Sequence, residues 1–99
     1  MKIIYSAQAK EQLNQIKYYI SKDNPKVAIN YLLKIKSKIE LLGKYPYIGK
    51  INSVYNLENI REFVVLGYKV IYKINTKTIL ILAIYKYINF DENSIISQL

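Results

Sequence analysis

Arg61, Tyr68, Lys69, Lys73, Tyr85, Lys86 and Tyr87 are the side chains of this 99-residue chain that could handle a phosphodiester. A deprotonated lysine or tyrosine can take the proton of a ribose 2′-hydroxyl while a guanidinium steadies the charge on phosphorus. Other chemistries drop out. With no His and no Cys, Ser-His-Asp and Cys-His nucleophile systems, disulfides and the usual zinc or iron ligand sets cannot be built. The acids Glu11, Asp23, Glu40, Glu58, Glu62, Asp91 and Glu92 are scattered and form no recognisable carboxylate pair. Glycine occurs only at 43, 49 and 67, which excludes the phosphate-loop and dinucleotide patterns. Neither a metal nor an organic cofactor is expected.

Each candidate has a plainer reading. Tyr68, Tyr72, Tyr85 and Tyr87 are of a type that more often packs a sheet than reacts. Lys69, Lys73 and Lys77 are most simply the solvated side of a hairpin, and Tyr18, Tyr19 and Tyr31 helix-packing residues whose hydroxyls reach water. Arg61 stands apart as the one arginine among fifteen basic residues, which points to a planar, forked or stacked contact that lysine cannot make. Strand alternation puts Tyr68, Val70 and Tyr72 on one face and Lys69, Ile71 and Lys73 on the other. Tyr85 and Tyr87 likewise share a face that Lys86 does not. Arg, Lys and Tyr therefore cannot all enter one groove unless the strands twist or a terminal residue escapes the alternation.

The elements that must position these groups are legible in outline. Lys2 to Tyr5 has β character, and Ser6 offers a cap for a helix over about Ala7 to Ser21, whose Ala9, Leu13, Ile16 and Ile20 make one apolar stripe. Asp23-Asn24-Pro25 opens a second helix with Ala28, Leu32, Ile35, Ile39 and Leu42 as its core positions. Gly43 is expected to close that helix in a left-handed conformation, and Pro46 to prevent its resumption. So short a connection makes the two helices antiparallel neighbours.

Residues 46 to 59, rich in Gly, Asn and Ser, are expected to form an ordered loop. Ile60 to Leu66 and Tyr68 to Ile74 read as strands broken at Gly67, and Asn75-Thr76-Lys77 as a hairpin turn. Thr78 to Tyr87 reads as a central strand covered on both faces. Asp91 is a cap candidate, with Ile95, Ile96 and Leu99 as a last helical turn or a docking segment. The whole is an α+β domain over residues 1–99: a strand, a helical hairpin and a three-stranded antiparallel meander, with its helices on one side of the sheet. The other face, open to solvent, is where function is sought.

Net charge is +8, and residues 1 to 50 carry ten lysines against three acids, so the basic excess lies on the helical half. Such a surface attracts nucleic acid or an acidic protein segment, although a chain rich in Lys, Ile, Asn and Tyr also reflects AT-rich coding. The apolar start Ile3-Ile4-Tyr5 is too short for a secretory signal, and Ile79 to Tyr85 falls far below the roughly 20 residues of a membrane helix. A soluble, cytoplasmic protein is expected.

Several pieces in order carry a resemblance. SAQAKEQLNQIKYYI is followed by a helix introduced by NPKVA, then IELLGKYPYIGK with Leu42, Pro46, Gly49 and Lys50 at its junction. Arg61, Tyr68 and Tyr72 come next, and TILILAIYKY closes the series. The series resembles the ParE/RelE superfamily of toxins from type II toxin-antitoxin modules, and more closely its ParE, or plasmid-stabilisation, branch. That branch implies inhibition of DNA gyrase by binding, with no catalytic residue, and a small antitoxin whose acidic, apolar C-terminal segment wraps the toxin. Arg61, Tyr68, Lys69, Tyr85, Lys86 and Tyr87 would then form the surface for target or antitoxin. The RelE branch implies instead a ribosome-dependent mRNA endonuclease using Arg61, Lys69, Lys86 and Tyr87. Here Lys69 stands where RelE relatives often have a phosphate-binding Arg, and Tyr87 where they have a basic residue, which thins the positive charge such cleavage needs. A third expectation is a degenerate member that binds an antitoxin and poisons nothing.

Overall fold

In the computed structural model, residues 1–87 are described. Strand β1 (Lys2–Tyr5) leads into helices α1 (Ala7–Ser21) and α2 (Pro25–Glu40), a 3-10 turn (Leu41–Gly43) and a two-residue strand β2 (Lys50–Ile51). Strands β3 (Ile60–Val65), β4 (Tyr68–Ile74) and β5 (Thr78–Lys86) follow, and the sheet order is β1-β5-β4-β3-β2. The expected tail features at Asp91, Ile95, Ile96 and Leu99 lie outside the described residues.

The caps act as their chemistry dictates. Ser6 is extended, accepts from the amide of Ala9 and donates its own hydroxyl proton to Leu82 O, tying the start of α1 to β5. Asn24 accepts from the amides of Lys26 and Val27, with Pro25 in the first turn of α2, where its missing N–H costs nothing. Ala9, Leu13 and Ile16 of α1 and Ile35 and Ile39 of α2 are buried against Val70, Tyr72, Ile74, Ile79, Ile81 and Ile84 of the sheet. Leu32 is only half-buried.

Four features depart from the sequence expectation. The sheet has five strands, because Lys50 and Ile51 pair with Glu62 and Arg61 inside what reads as loop. It is mostly rather than wholly antiparallel, because β1 runs parallel to β5 along Lys2↔Thr78 to Tyr5↔Ile81. β5 lies inside the sheet, yet only the helix-facing side is fully buried, leaving Leu80, Leu82 and Ala83 half-buried.

Gly43 is not left-handed, since among the described glycines only Gly67 has a positive φ; Leu42, buried, belongs to the 3-10 turn rather than α2. Glycine is required at 43 by crowding, as a Cβ would sit 2.7 Å from Met1 O, whose own amino group donates to Gly43 O. The left-handed pair is Leu66 and Gly67, at φ 51° and 80°, the geometry of a two-residue hairpin turn. In β5 a bulge falls between the partners of Ile71 and Tyr72, which leaves Leu82 as the extra residue. Ser6 satisfies its carbonyl, and Gln12 accepts from the Ile84 amide at 2.6 Å.

Candidate functional site

The register sorts the candidate residues onto two faces. Arg61 opposes Tyr72, and Tyr68 opposes Lys86, so Arg61, Tyr68, Tyr72 and Lys86 belong to the face that carries the helices. Lys69 opposes Tyr85 on the other face, and its Nζ lies 4.5 Å from the centroid of the Tyr87 ring. Lys73 shares that face, half-buried opposite Leu80.

Arg61 holds a loop. Its Nε donates to Glu58 O at 2.9 Å, its Nη1 to Gly49 O at 2.9 Å and more weakly to Tyr47 O at 3.5 Å. The guanidinium also stacks 4.9 Å from the Tyr47 ring centroid, the planar contact that a lone arginine in a lysine-rich chain implies. Beside it the buried Tyr72 hydroxyl donates to Pro46 O at 2.7 Å and accepts from the Gly49 amide at 3.0 Å. Gly49 must be glycine, because a Cβ there would lie 2.7 Å from both Glu62 O and the Tyr72 hydroxyl. Burial pushes the Tyr72 phenol up, and the Gly49 amide and Arg61 pull against that rise.

Lys69 is also committed. Its ammonium sits 2.9 Å from an Oε of Glu62, a carboxylate only 3% exposed, whose other oxygen accepts from the Asn52 amide at 3.3 Å. The bond that the Lys69 ammonium itself donates to Glu62 leads the effects that push Lys69 above its ordinary value, so the amine stays charged. Asn52, itself buried, also accepts from the amides of Val54 and Tyr55. Glu62 and Asn52 were legible only as a strand-flanking acid and a loop residue, since their pairing is a contact across the sheet edge.

The other concentration of polar groups is a cleft of about 420 Å³ between α1 and the ends of β4 and β5. Tyr19, Tyr68, Tyr85 and Lys86 border it, together with Gln12 and Gln15. A second recess of about 320 Å³ shares Tyr19, Tyr68 and Lys86 and adds Tyr31 and Leu66. Burial, followed by the nearby Tyr31 and Tyr19 phenols, pushes the Tyr68 hydroxyl up, and Lys86 lies 5.9 Å from the Tyr19 ring. Gln12 and Gln15 escaped the sequence reading and Tyr19 entered it only as a helix-packing residue, though the spacing of the three by three and four residues marks a stripe beside the buried one. Among the described residues no three His, Cys, Asp or Glu side chains group as metal ligands, and no helix is long and apolar enough to cross a membrane.

The chain is a small α+β domain: a five-stranded sheet with a helical hairpin on one face, a pinned loop at one end and an open cleft at the other. The chain belongs to the ParE toxin family of type II toxin-antitoxin systems, parDE, whose family model matches residues 3–86. Its fold is similar to a chain of the chromosomal ParDE system from P. aeruginosa, at TM-score 0.72 and 18% identity over 87% of this chain and 95% of that one. It is also similar to E. coli RelE, solved as a mutant with a RelB antitoxin peptide, at TM-score 0.61 and 13% identity over 98% and 90% of the two chains. A chain of the RelBE2 complex from Mycobacterium tuberculosis follows at TM-score 0.57 and 15% identity, over 86% and 95%. No match emerges among curated proteins. Identities this low carry the fold alone.

Proposed function

We propose that this ParE-family protein inhibits DNA gyrase by binding it, without cleaving a substrate, and that a small antitoxin with an acidic, apolar segment neutralises it. The observation that carries this is the state of the groups a nuclease would need. Lys69 is ion-paired to a buried carboxylate, and Arg61 is bonded to loop carbonyls on the opposite face of the sheet. A lysine or tyrosine acting as base must lose its proton near neutrality, yet Lys69 and Tyr68 are both shifted upward. Lys86 and Tyr87 remain, one on each face, without a shared pocket for a phosphate among the described residues.

The cleft beneath α1 suits the antitoxin. Lys86 supplies a cation at its mouth, Tyr19 and Tyr68 supply amphipathic rings, and Ile16 and Ile84 line it with hydrocarbon. The net charge of +8 steers an acidic segment toward it. Purified toxin added to gyrase in a supercoiling assay is expected to stop supercoiling, and equimolar antitoxin to restore it. Full supercoiling at saturating toxin, or translated message cut within codons after brief expression, would overturn the proposal.

A further inference from the structure

We propose that the segment from Tyr45 to Leu57 is the surface by which this toxin grips its target, and that what it grips is a folded protein presenting an apolar patch edged by carboxylates. The proposal rests on the toxin function proposed above and assigns it a second surface. Tyr72, which anchors the segment, and Tyr68, which borders the cleft, are four residues apart on β4, about 13 Å along the strand.

A surface loop ordinarily turns its polar side chains outward and tucks away what hydrocarbon it has. This segment does the reverse. Tyr45, Tyr47, Ile48, Val54, Tyr55 and Leu57 are each between 52% and 84% exposed. Asn52 and Glu62, the buried polar side chains among the described residues, lie within and beneath the same segment. Nor is the exposure that of a slack chain. Pro46 and Gly49 are bonded to the Tyr72 hydroxyl, Gly49 and Glu58 to Arg61, and Asn52 ties Val54, Tyr55, Asn56 and Ile60 to itself. Four side chains capable of facing water, those of Asn52, Arg61, Glu62 and Tyr72, instead hold the segment with its hydrocarbon outward. An apolar surface already locked in one shape binds without an ordering cost, which is what a docking site requires.

The choice of occupant follows from charge and side-chain type. Lys44 and Lys50 flank the surface against the one acid Glu58, all three exposed, and the cationic excess fits a carboxylate rim. A second copy of this chain brings its own +8 and the same two lysines, so self-association is opposed. Single-stranded nucleic acid would stack on Tyr45, Tyr47 and Tyr55, but Tyr47 is already stacked on Arg61, that arginine is bonded to carbonyls, and Ile48, Val54 and Leu57 add hydrocarbon that offers a base no ring.

The test uses purified gyrase and the cognate antitoxin as the two probes. In the double variant Ile48→Ser/Val54→Ser, the toxin needed for half-inhibition of supercoiling and for growth arrest is expected to rise by ~10-fold or more. Antitoxin Kd is expected to stay within about two-fold and the melting temperature to be unchanged, which shows the fold intact. Leu33→Ser, at an exposed apolar position of α2, is expected to change none of these. Unchanged arrest in the double variant overturns the proposal, and so does a parallel loss of antitoxin affinity. A wild-type dimer, or a complex with a single-stranded oligonucleotide, that the double variant abolishes also overturns it. Wild-type arrest with gyrase untouched, lost in the double variant, removes gyrase as the target and leaves the docking surface standing.

Discussion

The two ends of β4 carry the same side-chain type and use it in opposite ways. At Tyr72 the hydroxyl is buried, donates to one loop carbonyl and accepts from one loop amide, while Arg61 beside it fills neighbouring carbonyls. Tyr68, largely buried, lines an open cleft with Tyr19 and Lys86. One end spends its polar groups on architecture, and at the other the proposed function has them meet a partner. The lesson is that residue type marks where polarity is invested, and only the register across the sheet tells whether it has been consumed.

The largest expected effect tests the invested end. Lys69→Ala strands the carboxylate of Glu62 in a site that is 3% exposed, and unfolding stability should fall by about 3 kcal/mol. Lys69→Met combined with Glu62→Leu should recover most of that loss in a urea titration. A single-variant loss below about 1 kcal/mol would mean the pair behaves like a surface ion pair, and the contrast between the two ends would weaken.

Arg61→Ala removes two 2.9 Å bonds to carbonyls from a half-exposed site, for a loss of about 2 kcal/mol. Arg61→Lys should recover little of it, because an ammonium cannot reach both carbonyls and stack on Tyr47. Hydrogen exchange at the Gly49 amide, accelerated in both variants, locates the damage in the loop.

Alkaline pH sharpens the comparison further. Lys69, Tyr68, Tyr72 and Tyr5 are all shifted upward, so the folded chain keeps protons that the unfolded chain loses earlier. Their contribution is intact below the ordinary tyrosine value of 10.0 and is lost as pH climbs through the raised values. The melting temperature should therefore fall as pH climbs above that value, and less steeply in Tyr68→Phe; a flat profile would contradict the shifts. Smallest in stability is Lys86→Ala at the open end, expected within about 0.5 kcal/mol of wild type. Titration calorimetry should nonetheless show antitoxin binding weakened by roughly 5-fold, about 1 kcal/mol.

Much of the framework was legible because its causes are local. Ser6 and Asn24-Pro25 announce their helices, and the spacing of Ala9, Leu13, Ile16, Ile35 and Ile39 names the buried face. What could not be read depends on distant partners. Gly43 looks like a helix terminator, and the reason for it is Met1, 42 residues away. Lys50-Ile51 has too few residues to show strand periodicity and becomes a strand only because β3 offers its edge. The parallel pairing of β1 with β5 likewise leaves no mark on either segment. At the candidate site, alternation separated Lys69 from Tyr68 and Tyr85 and Tyr87 from Lys86 within each strand, and only the register shows that Lys69 shares the face of Tyr85 and Tyr68 that of Lys86. It carried no sign of Glu62 or Asn52, whose partners are set by the sheet edge.

Growth arrest on induction of Tyr87→Phe tests most directly whether this toxin acts by docking or by bond-breaking chemistry. The substitution removes a single hydroxyl and keeps the ring against which Lys69 packs. Arrest equal to that of wild type is the predicted result. A folded Tyr87→Phe protein that no longer arrests growth would contradict it.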